Sequence, residues 1–258
     1  MDFIEIDKKE REDEWSMSEL QSHSYYELYF LLRGERRFFL KDRIFNISAP
    51  TVCIIPPFCM HKTEGDAYKR TNINVSQGLL REEERDMLDE LGKSVVFTLD
   101  PKRAELVLSL LDGASEDEIN THSYVAESFM HILLHLLRRG GLLPYVEEAR
   151  ESREDAIVMK AVSFIQNRYM EDFSIDSLAR EIYVSKNTLC QHFRSVMNCS
   201  VMEYRQLVRI NKAKDLLVST AWDMKRISES CGFSSANYFS LIFKKEVGIS
   251  PLNYRKSK

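Results

Sequence analysis

Apolar residues fall along the first hundred positions in short runs rich in aromatic and β-branched side chains, at 29–32, 37–40, 43–47 and 52–55. Gly34, Lys41-Asp42 and Ala49-Pro50 separate these runs. The pattern predicts strands at roughly ten-residue spacing, folded as a sandwich or small barrel. From Pro101 the period becomes helical. Ala104, Leu106, Val107, Leu110 and Leu111 predict a helix that stops near Asp112-Gly113. A second helix is expected over 119–139, with Val125, Phe129, Ile132, Leu133, Leu136 and Leu137 on a broad apolar face. Gly140-Gly141 ends it, and Arg138-Arg139 sit in the last turn, where the helix dipole favours cations. The acidic run 81–89 reads as a solvated helix face. A charged connector at 147–154 follows, and beyond it every strong segment is helical.

That helical part repeats itself. Leu178, Ala179 and Ile182 recur 49 residues later as Ile227, Ser228 and Cys231. One residue inserted in the second turn makes the later offset 50. Ser185, Leu189, Phe193, Arg194, Asn198, Ser200, Tyr204 and Arg205 then recur as Ser235, Phe239, Phe243, Lys244, Gly248, Ser250, Tyr254 and Arg255. Each copy has helix-turn-helix grammar. Ser174 and Ser185 are N-caps in the first, Tyr183-Val184 make its turn, and Leu189, Phe193 and Val196 form a buried stripe. Asn198 and Gly248 are left-handed C-caps. Between the copies, 201–218 predicts a helix with Tyr204, Leu207, Val208, Ile210, Ala213, Leu216 and Leu217 on its apolar side. Such a helix spans about 27 Å, near the roughly 34 Å of one duplex turn. Two recognition helices on one chain then reach successive major grooves.

Composition sharpens this. The whole chain carries a net charge of −4, but residues 155–258 hold 16 Lys+Arg against 10 Asp+Glu, and residues 1–154 hold 20 against 30. A +6 segment joined to a −10 segment is the signature of a nucleic-acid-binding domain attached to one that avoids nucleic acid. Apolar stretches are cut by His and Arg well short of the about 20 residues a membrane span needs. The acidic N-terminus is unlike a signal peptide. Five cysteines without a CxxC pair read as buried thiols, Cys53 and Cys59 included. These features place the protein in the cytoplasm, away from membranes.

The tail runs Cys231-Gly232-Phe233-Ser234-Ser235-Ala236-Asn237-Tyr238-Phe239-Ser240, continues through Phe243-Lys244-Lys245, and finishes Gly248-Ile249-Ser250-Pro251-Leu252-Asn253-Tyr254-Arg255. With the repeat, it resembles the AraC-type family of transcription regulators over about residues 156–256. By that resemblance Asn187, Cys190 and Gln191 of one second helix, and Ala236, Asn237, Ser240 and Leu241 of the other, face base edges. Amides suit adenine, while Lys186, Arg194, Lys244 and Lys245 suit phosphates. Many relatives carry Arg where this chain has Leu241, which suits a thymine methyl or backbone positioning instead.

Residues 18–76 resemble the cupin-like sensory domain that accompanies such units. His23-Ser24-Tyr25-Tyr26-Glu27 leads to Gly34, and Ile55-Pro56-Pro57 leads to His61. Here His23, Glu27 and His61 face the barrel interior as candidate effector contacts. Cupin enzymes have a further His where this chain has Gln21, so the set is incomplete for a metal, although His23, Glu27 and His61 could still supply three ligands; no metal or other cofactor is expected and no residue is catalytic. The expected fold is α+β with two domains, a cupin-like β-barrel with accessory helices and an all-α tandem helix-turn-helix domain. Boundaries are 1–100 for effector sensing, 101–145 for helical dimerisation, 146–155 for a linker and 156–258 for DNA binding, with units at about 174–197 and 224–247. The expected function is a sequence-specific regulator of promoter DNA, an activator controlled by a small, carbohydrate-like effector. It acts as a homodimer and, by the resemblance, with RNA polymerase. The alternative is a metal-dependent cupin enzyme on a DNA-binding tether; a third reading gives the front half only a dimerising role. His131 and His135, four apart, have zinc-like spacing but no third ligand, and read as core or dimer interface.

Overall fold

The computed structural model describes residues 2–139, 141–145 and 152–257. Linker residues 146–151 lie outside them, while Ser152 caps the next helix by accepting from the Asp155 amide at 3.0 Å. The first half is built on strands β1 (Ile4–Arg11), β2 (Tyr26–Leu40), β3 (Arg43–Ser48), β4 (Thr51–Ile55), β5 (His61–Glu64), β6 (Tyr68–Val75), β7 (Val96–Leu99) and β8 (Leu142–Pro144). They pair antiparallel in the order β1-β6-β2-β4-β7-β8, with β3 and β5 flanking the far half of β2. Helix α1 (Glu82–Ser94) precedes β7; α2 (Pro101–Gly113), α3 (Glu116–Thr121) and α4 (Ser123–Arg138) lead from β7 to β8.

The runs at 29–32 and 37–40 are one fifteen-residue strand, not two. Gly34 bends the strand instead of ending it: φ is +90°, and a Cβ there would meet the Ala67 carbonyl oxygen at 2.3 Å. Beside it the pairing with β6 slips between Leu31 and Arg33. One extra residue reverses the two-residue alternation. Leu28 and Phe30 therefore pack into the core shared with the helices, while Tyr29 and Leu31 join the barrel interior; beyond the bulge the interior residues are Phe38 and Leu40. Phe39, freed by the reversal, joins the core of the helical second half.

The single helix expected over 119–139 is interrupted at His122, which takes an extended conformation between α3 and α4. Asn120 explains the break. Its side chain accepts from the Ile6 amide at 2.9 Å and donates to the Ile6 carbonyl at 3.0 Å, completing the edge of β1 as a neighbouring strand would. The broad face of α4 is likewise spent inside the chain: Leu133 and Leu137 are 0% and 2% exposed, whereas Ile132 is 53% exposed. The expected acidic solvated face on α1 is partly engaged, since Glu84 pairs with His131 and Asp89 accepts from the Tyr26 hydroxyl.

The second half comprises α5 (Arg153–Arg168), α6 (Ile175–Glu181), α7 (Lys186–Met197), α8 (Val201–Ser219), α9 (Met224–Ser230), α10 (Ala236–Val247) and α11 (Pro251–Lys256). Helix α8 is the spine. Val201, Tyr204 and Val208 enter the first unit's core, and Ile210, Ala213 and Leu217 enter the second's. The repeat reaches past the two helix-turn-helix units. Tyr204 meets Phe193, and Tyr254 meets Phe243, edge-on at 5.5 Å. Arg205 donates to the Tyr169 and Glu171 carbonyls, and Arg255 to those of Leu217 and Trp222, so each ties down the chain that enters its unit.

Leu133→Ala is expected to destabilise the protein by about 2–5 kcal/mol, since it empties a filled core position. Ile132→Asp, on the solvent side of the same helix, is expected to change stability by about 0.5 kcal/mol or less. Urea denaturation followed by circular dichroism checks both; equal losses would refute this placement of α4.

Candidate DNA-reading surface and buried His-Glu-His cluster

Each unit sets its second helix by the same devices. Ser185 accepts from the Thr188 amide at 3.1 Å and Ser235 from the Tyr238 amide at 3.2 Å, fixing where α7 and α10 begin. The turns before them hold Tyr183 at φ +60° and Gly232 at φ +75° in equivalent left-handed positions. Asn198 and Gly248 stop the helices at φ +58° and +85°. Gly232 lies against the Met170 backbone, where a Cβ would come within 2.7 Å; Tyr183, its counterpart, is 94% exposed.

With Leu189, Phe193, Val196, Phe239 and Phe243 buried, the opposite faces of α7 and α10 turn outward. Asn187, Gln191, Asn237 and Leu241 are exposed, and Cys190, Ala236 and Ser240 half-buried. Among the described residues the side-chain amides of Asn187, Gln191 and Asn237 make no hydrogen bond, leaving both donor and acceptor available. Arg194, Lys244 and Lys245 are exposed beside them. Lys186 is exposed too, paired with Asp176 at 2.8 Å, a contact that an exposed pair gives up at little cost.

In the barrel, the alternation of β2 points Glu27 inward and β5 begins at His61, while His23 arrives from the loop before β2. His23 Nε2 lies 3.0 Å and His61 Nε2 3.5 Å from the same oxygen, Glu27 Oε2. Asn72 donates to the other carboxylate oxygen at 2.6 Å. Asn72 escaped the sequence reading because only the β2–β6 register, which sets it opposite Tyr29, brings it there. Burial opposes ionisation of Glu27, but contact with His23 and the charges of His61, His23 and Arg70 outweigh it and hold the carboxyl below its ordinary range. Among the described residues, four further polar atoms of the barrel's strands, Tyr29 Oη, Tyr68 Oη, Asn72 Oδ1 and Asn74 Oδ1, are buried without a hydrogen-bond partner. Burial keeps the nearby thiols protonated, raising Cys53 and pushing Cys59 up to about 11. His131 and His135 do not form a metal cluster; among the described residues His23, Glu27 and His61 are the one such group.

The two halves meet along β2, β3 and β5. Phe39 and Met60 are buried in the first unit's core. Arg37 bridges Glu64 and Asp155, Lys62 donates to the Val196 carbonyl at 3.3 Å, and Gln166 donates to the Lys41 carbonyl at 2.8 Å. Beside this junction is a cavity of about 570 Å³, lined from both halves by residues including Tyr26, Lys41, Met60, Gln166 and Lys212. His23, Glu27 and His61 do not line it.

Residues 8–137 match the model of the AraC-like ligand binding domain, and residues 178–257 match a helix-turn-helix domain model. The chain belongs to the AraC-type family of transcription regulators. The activator RhaR of Escherichia coli is 24% identical over 248 residues, covering 91% of this chain and 86% of its own. The regulator YfiF of Bacillus subtilis is also 24% identical, covering 92% of this chain and 78% of its own. Among solved structures, the C-terminal domain of the response regulator AraT from Geobacillus stearothermophilus is 32% identical over 43% of this chain and 89% of that one, with a TM-score of 0.40. This AraC-type regulator therefore joins a ligand-binding N-terminal domain to a DNA-binding helix-turn-helix domain. None of the described helices is long and apolar enough to cross a membrane.

Gln191→Ala is expected to cost about 1–3 kcal/mol on specific DNA and to relax preference at one base pair. Lys244→Ala is expected to weaken specific and random DNA alike and to lower the salt slope by about one. Titrations on both DNAs at several salt concentrations check this; equal losses for Gln191→Ala would remove it from the base-reading set.

Proposed function

We propose that this regulator activates transcription by gripping promoter DNA through both recognition helices of one chain, under the control of a small polar effector. The observation that carries the reading is the pair of outward faces on α7 and α10, where amides without a hydrogen-bond partner among the described residues stand beside exposed cations in the basic half. Asn187, Gln191, Asn237, Ser240 and Leu241 read base edges, with Ala236 allowing close approach. Lys186, Arg194, Lys244 and Lys245 hold phosphates. His23, Glu27 and His61 are the polar end of the effector site. Unpartnered Tyr29 and Tyr68 hydroxyls support a hydroxyl-rich, carbohydrate-like ligand, because buried polar groups without partners are costly unless something fills them. The effector acts by binding one arrangement of the β2 junction more tightly than another.

The protein works in the cytoplasm as a homodimer and contacts RNA polymerase; the reading includes no catalytic step. Since Leu133 and Leu137 are buried within the chain, the dimer uses the exposed side of α4, around Tyr124 and Ile132.

A compound panel scored by melting temperature identifies the effector, because a ligand of the folded state raises it. With that compound, Glu27→Ala and His61→Ala are expected to keep operator affinity and lose the response of a reporter on the cognate promoter. A wild-type response in both variants would place the effector elsewhere.

A further inference from the structure

Between β1 and β2, residues 17–24 run beside β5 and divide their contacts between the two halves. Odd-numbered residues hold the barrel through the backbone. The Met17 amide donates to the Thr63 carbonyl at 2.9 Å, and the Phe58 amide donates to the His23 carbonyl at 2.6 Å. Gln21 and His61 exchange backbone bonds of 2.9 and 3.0 Å. Even-numbered residues face the helical half. The Ser18 carbonyl accepts from Asn198 Nδ2 at 3.3 Å, and Leu20 packs on the first unit's core. Ser22 Oγ donates to Asn211 Oδ1 at 2.5 Å, and the Ser24 hydroxyl is hydrogen-bonded to that of Tyr254. The His23 imidazole, between the two serines, turns the other way, to Glu27 at 3.0 Å. Side chains alternate here as they do along a strand, with one half of the protein on each face.

These contacts reach both recognition helices. Asn198 is the left-handed residue that ends α7, and Tyr254 meets Phe243, on the buried face of α10, at 5.5 Å. Asn211 lies on α8 between the residues that helix gives to the two cores. Comparison of the two repeats shows that the contacts are additions to the common plan. Gly248, the counterpart of Asn198, has no side chain to reach with. The hydroxyl of Tyr204, the counterpart of Tyr254, accepts from Gln166 at 3.0 Å instead. Successive base pairs are about 3.4 Å apart along the duplex, so two reading helices on one chain must be set more finely than that. We propose that residues 18–24 fix the separation of α7 and α10, so that the sensory half sets which spacing of the two major-groove segments the regulator accepts. Ser18, Ser22 and Ser24 are positioning residues, acting through Asn198, Asn211 and Tyr254. Their role rests on the two-groove reading above and names what sets its span. His23 couples the segment to the barrel, since a change in its contact with Glu27 pulls on the serine at either side. Asn211, and Gln77, which donates to the Ser24 carbonyl at 3.2 Å, line the cavity of about 570 Å³, which gives the segment room to shift.

The test titrates full-length protein with an operator selected from random DNA, with versions in which one base pair is added or removed between the two segments, and with each segment alone. The wild type is expected to lose affinity when the spacing changes in either direction. Three variants each remove one contact and keep the packing: Asn198→Gly retains a left-handed cap, Tyr254→Phe retains the ring against Phe243, and Ser22→Ala trims a single hydroxyl. Each is expected to shrink the spacing penalty by about 2–10-fold, the worth of one hydrogen bond, and to leave the affinity for either segment alone unchanged. The triple variant is expected to shrink it further. His23→Ala, whose side chain bonds within the sensory half, is expected to relax the spacing as well, and His135→Ala to behave as wild type. A triple variant with the full wild-type penalty overturns the proposal and leaves the two-groove reading standing. Losses that fall equally on single segments and on the paired operator also overturn it, because they report a general weakening of the fold. A wild type indifferent to spacing overturns both readings together.

Discussion

Everything in this regulator is hung on β2, and β2 works because of one extra residue. A strand alternates its faces, so a uniform fifteen-residue strand would present the same parity throughout. The slip between Leu31 and Arg33 reverses it. Before the slip, Glu27, Tyr29 and Leu31 face the barrel interior while Leu28 and Phe30 bind the helical layer; after it, Phe38 and Leu40 fill the interior and Phe39 reaches the DNA-binding half. Arg37, on the side of Phe39, pairs with Asp155 at the start of α5. One backbone thus runs from the His-Glu-His cluster to the first helix-turn-helix unit, and a change at one end has a continuous packed route to the other.

The DNA-binding half solves a different problem, how to place two small helical units that bury little on their own. Sharing α8 lets one nineteen-residue helix supply core residues to both. The equivalent Tyr–Phe contacts and the equivalent arginines, Arg205 and Arg255, tie each unit to the chain around it by the same devices. Arginines donating to chain-end carbonyls, Arg205 buried and Arg255 half-buried, are a costly choice unless those carbonyls would otherwise lack partners, and here they close the turns leading into α6 and α9. The units differ where Gly232 packs on Met170, in the turn after α5, while its counterpart Tyr183 faces solvent; α5 itself packs into the core of the first unit.

What the sequence made legible was local. Caps, stripes and left-handed terminators lie within a few residues of one another, and the repeat shows them twice, so Ser185, Ser235, Asn198 and Gly248 were all placed correctly. The cupin-like spacing likewise brought His23, Glu27 and His61 together. Tertiary events stayed hidden. The parity reversal depends on a pairing slip against β6, the break at His122 on Asn120 meeting Ile6 across 114 residues, and the fate of Leu133 on which side of α4 the sheet covers. The junction through Arg37, Lys62 and Asp155 was missed because charged residues read as solvent-facing until a second domain buries them.

The central claim is that one chain reads two successive major-groove segments. Hydroxyl-radical footprinting on an operator selected from random DNA tests it most directly. Two protected segments about one helical turn apart on one face of the duplex are predicted, the first weakened by Gln191→Ala and the second by Asn237→Ala. A single protected segment per chain, or one that both substitutions weaken equally, would contradict it.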